Sequence, residues 1–249
     1  MTRLVLIVLL LSAGSFAQDG LPAGTILPVQ LNSSLKAAKM RPGQTISARL
    51  MQDVPLPSNR KISAGAKVLG HAISIENPSG AEIQVSLRFD ILIVGKRRIP
   101  ILTNLRALAT MMAVVEAQTP ETGPDRGTSE RSWITDQIGG EVNYHGTGIY
   151  RFSTMVGSSP PDGALAQPAT KPGEPCRGAM YGNDLPQAMW VFSSDACGLY
   201  DLPNLKLVHA GRTDPIGQIT LRAAQGKLNV PSGSGLLLRV NPGPGSSDN

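Results

Sequence analysis

Apolar and polar residues alternate without a break from residue 82 to residue 91. Ile83, Val85, Leu87, Phe89 and Ile91 fall on one side, and Glu82, Gln84, Ser86, Arg88 and Asp90 on the other. Successive side chains of a strand point to opposite faces, so this segment predicts a strand with one buried and one solvated face. Residues 45–50 repeat the pattern, with Ile46, Ala48 and Leu50 inward and Thr45, Ser47 and Arg49 outward. One-sided burial of this kind belongs to antiparallel sheets. Residues 189–192 form a continuous apolar run instead, as in a strand covered on both faces. Residues 205–210, 218–222 and 235–240 also read as strands.

A recurring turn opens several of these strands. Leu21-Pro22-Ala23-Gly24, Arg41-Pro42-Gly43, Ile62-Ser63-Ala64-Gly65 and Val230-Pro231-Ser232-Gly233 each stand just ahead of an apolar strand. Proline presets φ for the first turn position, and glycine accepts a positive φ without steric penalty. Gly24, Gly43, Gly65 and Gly233 are therefore the candidate structural turn residues.

The middle of the chain is less regular. Residues 104–116 place Leu105, Leu108, Met111, Met112 and Val115 at helical spacing after a candidate cap at Thr103 or Asn104. Alanine-rich stretches occur in strands as well, so helix and strand both remain open there. Residues 118–132 read as a loop, and residues 133–152 return to strand character with glycine turns. Residues 157–187 hold six prolines and five glycines and predict an irregular surface excursion. The expected fold is mostly β, an antiparallel barrel or sandwich. Its core is formed by residues 18–103 and 218–240, its long Gly/Pro-rich insertion by residues 104–217, and a tail of disordered composition by residues 241–249.

Composition narrows the class. Charged residues are 16% of the chain and aromatics 4%, while glycine and proline number 27 and 20. Coiled coils, long helical bundles and polyionic disordered chains run to charge or to Ala, Glu and Leu instead, and are excluded.

Residues 1–17 read as a secretory signal. Arg3 is the positive end, residues 4–11 the apolar run, and Ser15-Phe16-Ala17 the small-residue cleavage site. The run is shorter than the about 20 residues that span a bilayer, and no later stretch is long and apolar enough to do so. Export, to the periplasm or outside the cell, suits the two cysteines. Cys176 and Cys197 would form a disulfide whose loop restricts the unfolded chain by roughly 3 kcal/mol. A nucleophilic Cys197 beside Ser193, Ser194 and Asp195 is the alternative, without a motif or a nearby histidine.

The leader carries off Arg3, which leaves 22 Lys and Arg against 18 Asp and Glu, a net charge of +4. The one basic knot, Lys96-Arg97-Arg98, lies in a predicted hairpin turn without the interleaved aromatics of a nucleic-acid reader, so no nucleic-acid partner is expected.

Residues 21–31, Pro42-Gly43-Gln44-Thr45, Ala48-Arg49-Leu50, Asp53-Val54 and the run from Ile62 to Gly70 come in an order that resembles a known family. It is the periplasmic β-barrel domain of the scaffold proteins of type IV secretion and conjugation channels. The unit at Val230 is similar to that family's closing strand. If the core is a barrel, the last strand closes against the first, which removes two open edges. The family's inner-membrane helix, Pro-rich reach and membrane-crossing helical hairpin have no counterpart here, and a ring-forming pore is not implied. The chain looks more like uncharacterised exported bacterial proteins that reuse the barrel, a group that brings no activity with it.

Chemical constellations are sparse. His71, His145 and His209 share no metal spacing, no Cys-x-x-Cys occurs, and no metal or cofactor is expected. Ser232-Gly233-Ser234-Gly235 lacks the first glycine of a hydrolase elbow. Gly226-Lys227 lacks the upstream glycine of a phosphate loop. No catalytic residue is assigned. The expectation is a non-enzymatic structural or interaction module of the bacterial cell envelope, with another envelope protein or itself as partner and residues 157–198 as contact surface. The alternative is a secreted hydrolase acting on envelope or environmental polymers through Asp195 with His209 or Asp214.

Overall fold

The computed structural model describes residues 20–77, 80–118, 132–145, 147–151, 153–159, 163–170, 173–177, 183–224 and 227–243. The signal assigned to residues 1–17 lies outside them, as do residues 244–249. The first half of the chain supplies β1 (Ile26–Leu31), β2 (Leu35–Lys36), β3 (Thr45–Leu50), β4 (Val54–Leu56), β5 (Arg60–Ile62), β6 (Lys67–Glu76), β7 (Glu82–Val94), β8 (Arg97–Pro100) and β9 (Thr103–Ala109). Helix α1 (Met111–Gln118) follows. Then come β10 (Ser132–Gln137), β11 (Gly140–His145), β12 (Gly148–Arg151), β13 (Thr154–Ser158), β14 (Ala164–Ala166) and β15 (Gln187–Trp190). β16 (Gly198–Tyr200), β17 (Leu205–His209), β18 (Ile219–Ala224), β19 (Asn229–Val230) and β20 (Gly235–Val240) complete the fold.

Nine strands form a nearly closed barrel in the order β16-β9-β20-β1-β3-β6-β7-β18-β17, with β8 branching from β7. β1 pairs antiparallel with β20, from Ile26 opposite Arg239 to Gln30 opposite Gly235. Flanking bonds extend the seam. Gly24 N–H donates to the Val240 carbonyl and Gly233 N–H to the Leu31 carbonyl, each at 2.9 Å. On the other side β16 runs parallel to the end of β9, and the Leu105 N–H donates to the Ala210 carbonyl just past β17 at 2.8 Å. The segment from β16 to Ala210 thus bridges the two ends of the strand path.

Alternation fills the barrel. Leu27, Val29 and Leu31 from β1 meet Ile46, Ala48 and Leu50 from β3 and Leu236, Leu238 and Val240 from β20, all buried. β7 keeps the expected phase through Val85, Leu87 and Phe89 and then changes it. A bulge at Asp90, opposite the Leu69–Gly70 step of β6, turns Leu92 inward and leaves Ile91 half-buried. The alternation read over residues 82–91 therefore ends one step early.

Three expected boundaries differ. The stretch 104–116 is neither one helix nor one strand: β9 runs to Ala109, Thr110 caps α1 with its hydroxyl accepting from Ala113 N–H at 3.2 Å, and the helix begins at Met111. β9 belongs to the barrel sheet and is buried at every position, so no inside–outside pattern marks it. β16 and β17 also join that sheet, although they fall between 104 and 217. Asn241, assigned to the tail, is buried and held by the Leu102 carbonyl, the Gly211 carbonyl and Asn104.

Between β9 and β16 lies a second sheet, β10 to β15 in sequential order. Residues 157–187, expected to be irregular, contribute the end of β13 and all of β14 to it. A parallel bridge between Ile138 and Phe192 joins its two ends. Its inner residues Ile149, Ala164, Ala166, Met189 and Phe192 form a second core with α1 and the outward faces of β1, β9 and β20.

The turn glycines Gly24, Gly43, Gly65 and Gly233 have φ of 84°, 79°, 84° and 84°. Asp53 secures the third of these turns. One carboxylate oxygen accepts from Ala64 N–H at 2.8 Å, and the other meets Lys61 Nζ at 2.5 Å. Gly70 answers to a close approach instead, because a Cβ there would run into the Arg88 carbonyl across the β6–β7 bulge.

Two outcomes follow. Gly70→Ala must push strand from strand, and a loss of about 2–3 kcal/mol in a urea melt is expected. The Lys61 hydrogen bond, and after it the Ala64 N–H, holds the Asp53 carboxyl below its ordinary pKa. Its contribution is present above the unfolded value and is lost as pH falls through the lowered one. Asp53→Asn should lower the urea midpoint near about pH 7, and the difference from the parent should vanish near about pH 2.

Candidate functional site

The basic knot ends in an open groove. Val94 opposite Arg97 closes a two-residue turn over Gly95-Lys96, with Gly95 at φ 59°, the geometry of a tight hairpin whose first central residue is glycine. β8 then runs back along β7 from Arg97 opposite Val94 to Pro100 opposite Ile91. A cavity of about 610 Å³ lies against it. Arg97 to Leu102 line it from the hairpin, and Gly20, Leu21, Val240, Asn241 and Gly243 from where the barrel seam ends. Arg97, Arg98 and Pro100 are exposed, while Ile99 packs against the barrel core.

The ladder phase shows what the free edge offers. Ile101 N–H donates to the Asp90 carbonyl at 2.9 Å, which makes residues 90 and 101 a hydrogen-bonded pair. Antiparallel pairs alternate between bonded and non-bonded. Ile99 with Leu92 and Arg97 with Val94 are then bonded pairs, so Arg97 and Ile99 spend their backbone groups on β7. The N–H and C=O of Arg98 and the C=O of Pro100 point away from β7. β8 has no strand on that side among the described residues.

A second polar group is buried under the second sheet. Arg106 sits on the outward face of β9 at 2% exposure, and its Nη2 donates to the carbonyls of Ala169 at 2.8 Å and Ser194 at 3.0 Å. Burial, and then the neighbouring Arg239 guanidinium, pulls its pKa down to about 10, with Asp195 and Tyr200 opposing. It still carries its proton at neutral pH. Buried amides reinforce the same interface. Gln52 donates to the Ala164 carbonyl at 2.9 Å and accepts from Trp190 N–H at 2.7 Å. Trp190 sits at φ 52°, a conformation bulky residues avoid, and this bond satisfies the backbone N–H at that kink. Gln187 accepts from Ile26 N–H at 3.0 Å, and Asn183 donates to the Thr25 hydroxyl at 3.0 Å.

Cys176 and Cys197 form a disulfide with Cα atoms 6.0 Å apart, which anchors residues 173–177 to the approach of β16. A free nucleophile at Cys197 is thereby removed. Ser193 and Ser194 are buried, and Ser194 offers its carbonyl to Arg106. His209 has both ring nitrogens engaged locally. Nδ1 lies 2.6 Å from the Gln218 carbonyl oxygen and Nε2 lies 3.2 Å from the Thr213 hydroxyl. Asp195 is not among its partners, and Asp214 lies in an exposed turn, so the residues named for hydrolysis are not brought together. His71 pairs with the bulge residue Asp90 at 3.1 Å, and the His145 ring stands edge-on to Tyr150. No cluster of three metal-ligating side chains occurs among the described residues. Residues 187–194, part of the expected contact surface, are buried against the barrel rather than presented.

Comparison with family models, with curated proteins and with solved structures finds no match for this chain.

Arg106 had no motif to mark it; its only signal is one cation in the apolar run Leu105 to Ala109. Arg106→Ala would take the donor from the Ala169 carbonyl and one of two donors from the Ser194 carbonyl, which keeps Ala169 N–H at 2.7 Å, and would open a void. We expect a loss of about 3 kcal/mol in a urea melt. Arg98→Ala, at an exposed position, should stay within about 0.5 kcal/mol of the parent.

Proposed function

We propose that the protein is an exported, non-enzymatic β-barrel that serves as a structural or interaction module of the bacterial cell envelope. Its partner is another envelope protein or a second copy of the chain. The observation that carries this reading is the groove beside β8. There an open sheet edge, two arginines and apolar residues face one concave surface beside a nearly closed barrel. A disulfide and the lack, among the described residues, of a helix able to cross a membrane are compatible with an exported protein. The turn units support kinship with the periplasmic barrel of type IV secretion scaffolds. All four precede strands of the one barrel sheet, and Asp53 gives the Asp-Val step of the motif a physical task at the Ser63-Ala64-Gly65 turn.

The test is fractionation of bacteria expressing the full chain, followed by sizing of the mature protein. Expected is a shortened chain in the periplasm or medium with both cysteines oxidised, and a defined homo-oligomer or a stoichiometric complex with one envelope protein. A chain that keeps residues 1–17 and stays in the cytoplasm would overturn the reading. So would a monomer that degrades peptidoglycan or exogenous polysaccharide.

A further inference from the structure

We infer that the groove beside β8 takes an extended acidic segment of a partner protein, which adds to the barrel sheet as a strand along Arg97–Pro100. The inference rests on the interaction-module reading and names the chemistry of its partner.

The backbone supplies the first half of the argument. Arg98 presents one N–H donor and one C=O acceptor to the groove side, and Pro100 adds a second acceptor two residues on. That spacing is the one a strand laid alongside would meet. Neither residue makes another hydrogen bond or ion pair among the described residues. Strand addition to an exposed edge draws affinity from such main-chain bonds and specificity from sites for alternate side chains. The apolar lining from Leu21, Ile101, Leu102 and Val240 supplies those sites, so every second side chain of the segment should be apolar.

Charge supplies the second half. Arg97 and Arg98 stand together at the groove, and the chain carries a net charge of +5. Arginines and a proline on an edge strand also serve to keep edges from pairing with their own kind. Both roles follow from the same electrostatics. Two copies meeting edge to edge would bring four guanidinium groups together, whereas a strand bearing carboxylates is drawn in. The arginines thus disfavour edge-to-edge pairing of two copies at this groove and select an acidic segment. An anionic amphiphile could use the arginines and the apolar lining, but it would leave the Arg98 backbone pair unused.

The experiment uses the purified full chain and a fluorescent eight-residue peptide alternating glutamate and valine. Controls are the lysine-for-glutamate peptide, a glutamate peptide N-methylated at alternate backbone nitrogens, and laurate. Expected is saturable binding of the acidic peptide with slowed hydrogen exchange at the Arg98 amide, and loss of binding on N-methylation. Affinity should weaken by about tenfold or more in an Arg97→Glu, Arg98→Glu variant that melts like the parent, and that variant should bind the lysine peptide instead. Equal binding of the N-methylated peptide would reduce the site to a charged patch and overturn strand addition. Binding of laurate without binding of the acidic peptide would assign the groove to amphiphiles, and no binding at all would also overturn the inference. Purified protein suffices throughout, so failure here is separable from a failure of export or oligomerisation.

Discussion

The pairing of β1 with β20 is the constraint from which the rest of the architecture follows. A sheet of nine strands carries two open edges unless its ends meet, and an open edge is a template for unwanted pairing. Here the N-terminal strand sits in the middle of the strand path, between β20 and β3, and cannot be displaced without splitting the sheet. Leu27, Val29, Leu236 and Leu238 face inward from this pair, so the hydrogen-bond seam and the centre of the core are one structure. Each fully buried Leu or Val is worth about 1.5–3 kcal/mol, and the seam gathers several of them.

The same strands are also covered from outside, which ties the second sheet to the barrel. Ile26, Ala107, Ala109 and Leu237 turn outward into the second core, and Gly235 lets Val114 and Trp190 come close where a Cβ would meet them at 2.9 and 3.2 Å. An interface of this type buries backbone groups from both partners. Gln52 and Gln187 satisfy several of them with side-chain amides, and Arg106 does so with a guanidinium. Burying that charge is unfavourable, and the lowered pKa of Arg106 reports it. In return its guanidinium reaches the Ala169 carbonyl and the Ser194 carbonyl across the interface.

Legibility in the sequence tracked how local the cause was. Turns and one-face strands were readable, since proline, glycine and a period of two act within a few residues: the glycine turns and the phase of Ile46, Ala48 and Leu50 appear as expected. The pairing of first and last strands followed from the need of a barrel to close its open edges rather than from periodicity. β9 was not readable as a strand, because burial on both faces erases alternation and leaves the Ala-Leu mixture that also suits a helix. The bulge at Asp90 is set by the partner strand, where Gly70 admits the Arg88 carbonyl, and no pattern within β7 announces it. The arginine pair of the groove was visible as a charge run in a turn. Its meaning was not, because the opposite wall comes from Leu21 and Val240, far along the chain.

The distance between the paired ends shapes how such a chain is made. β1 leaves the ribosome about two hundred residues before β20, and closing a loop of that span is entropically slow. β3 can cover one flank of β1 at once, but the other flank waits until the whole polypeptide has been synthesised. Until then the nascent sheet is an unfinished ring with a sticky side, the kind of intermediate that holding chaperones recognise. A fold that cannot complete itself early keeps that flank uncovered for longer than one assembled from neighbouring strands.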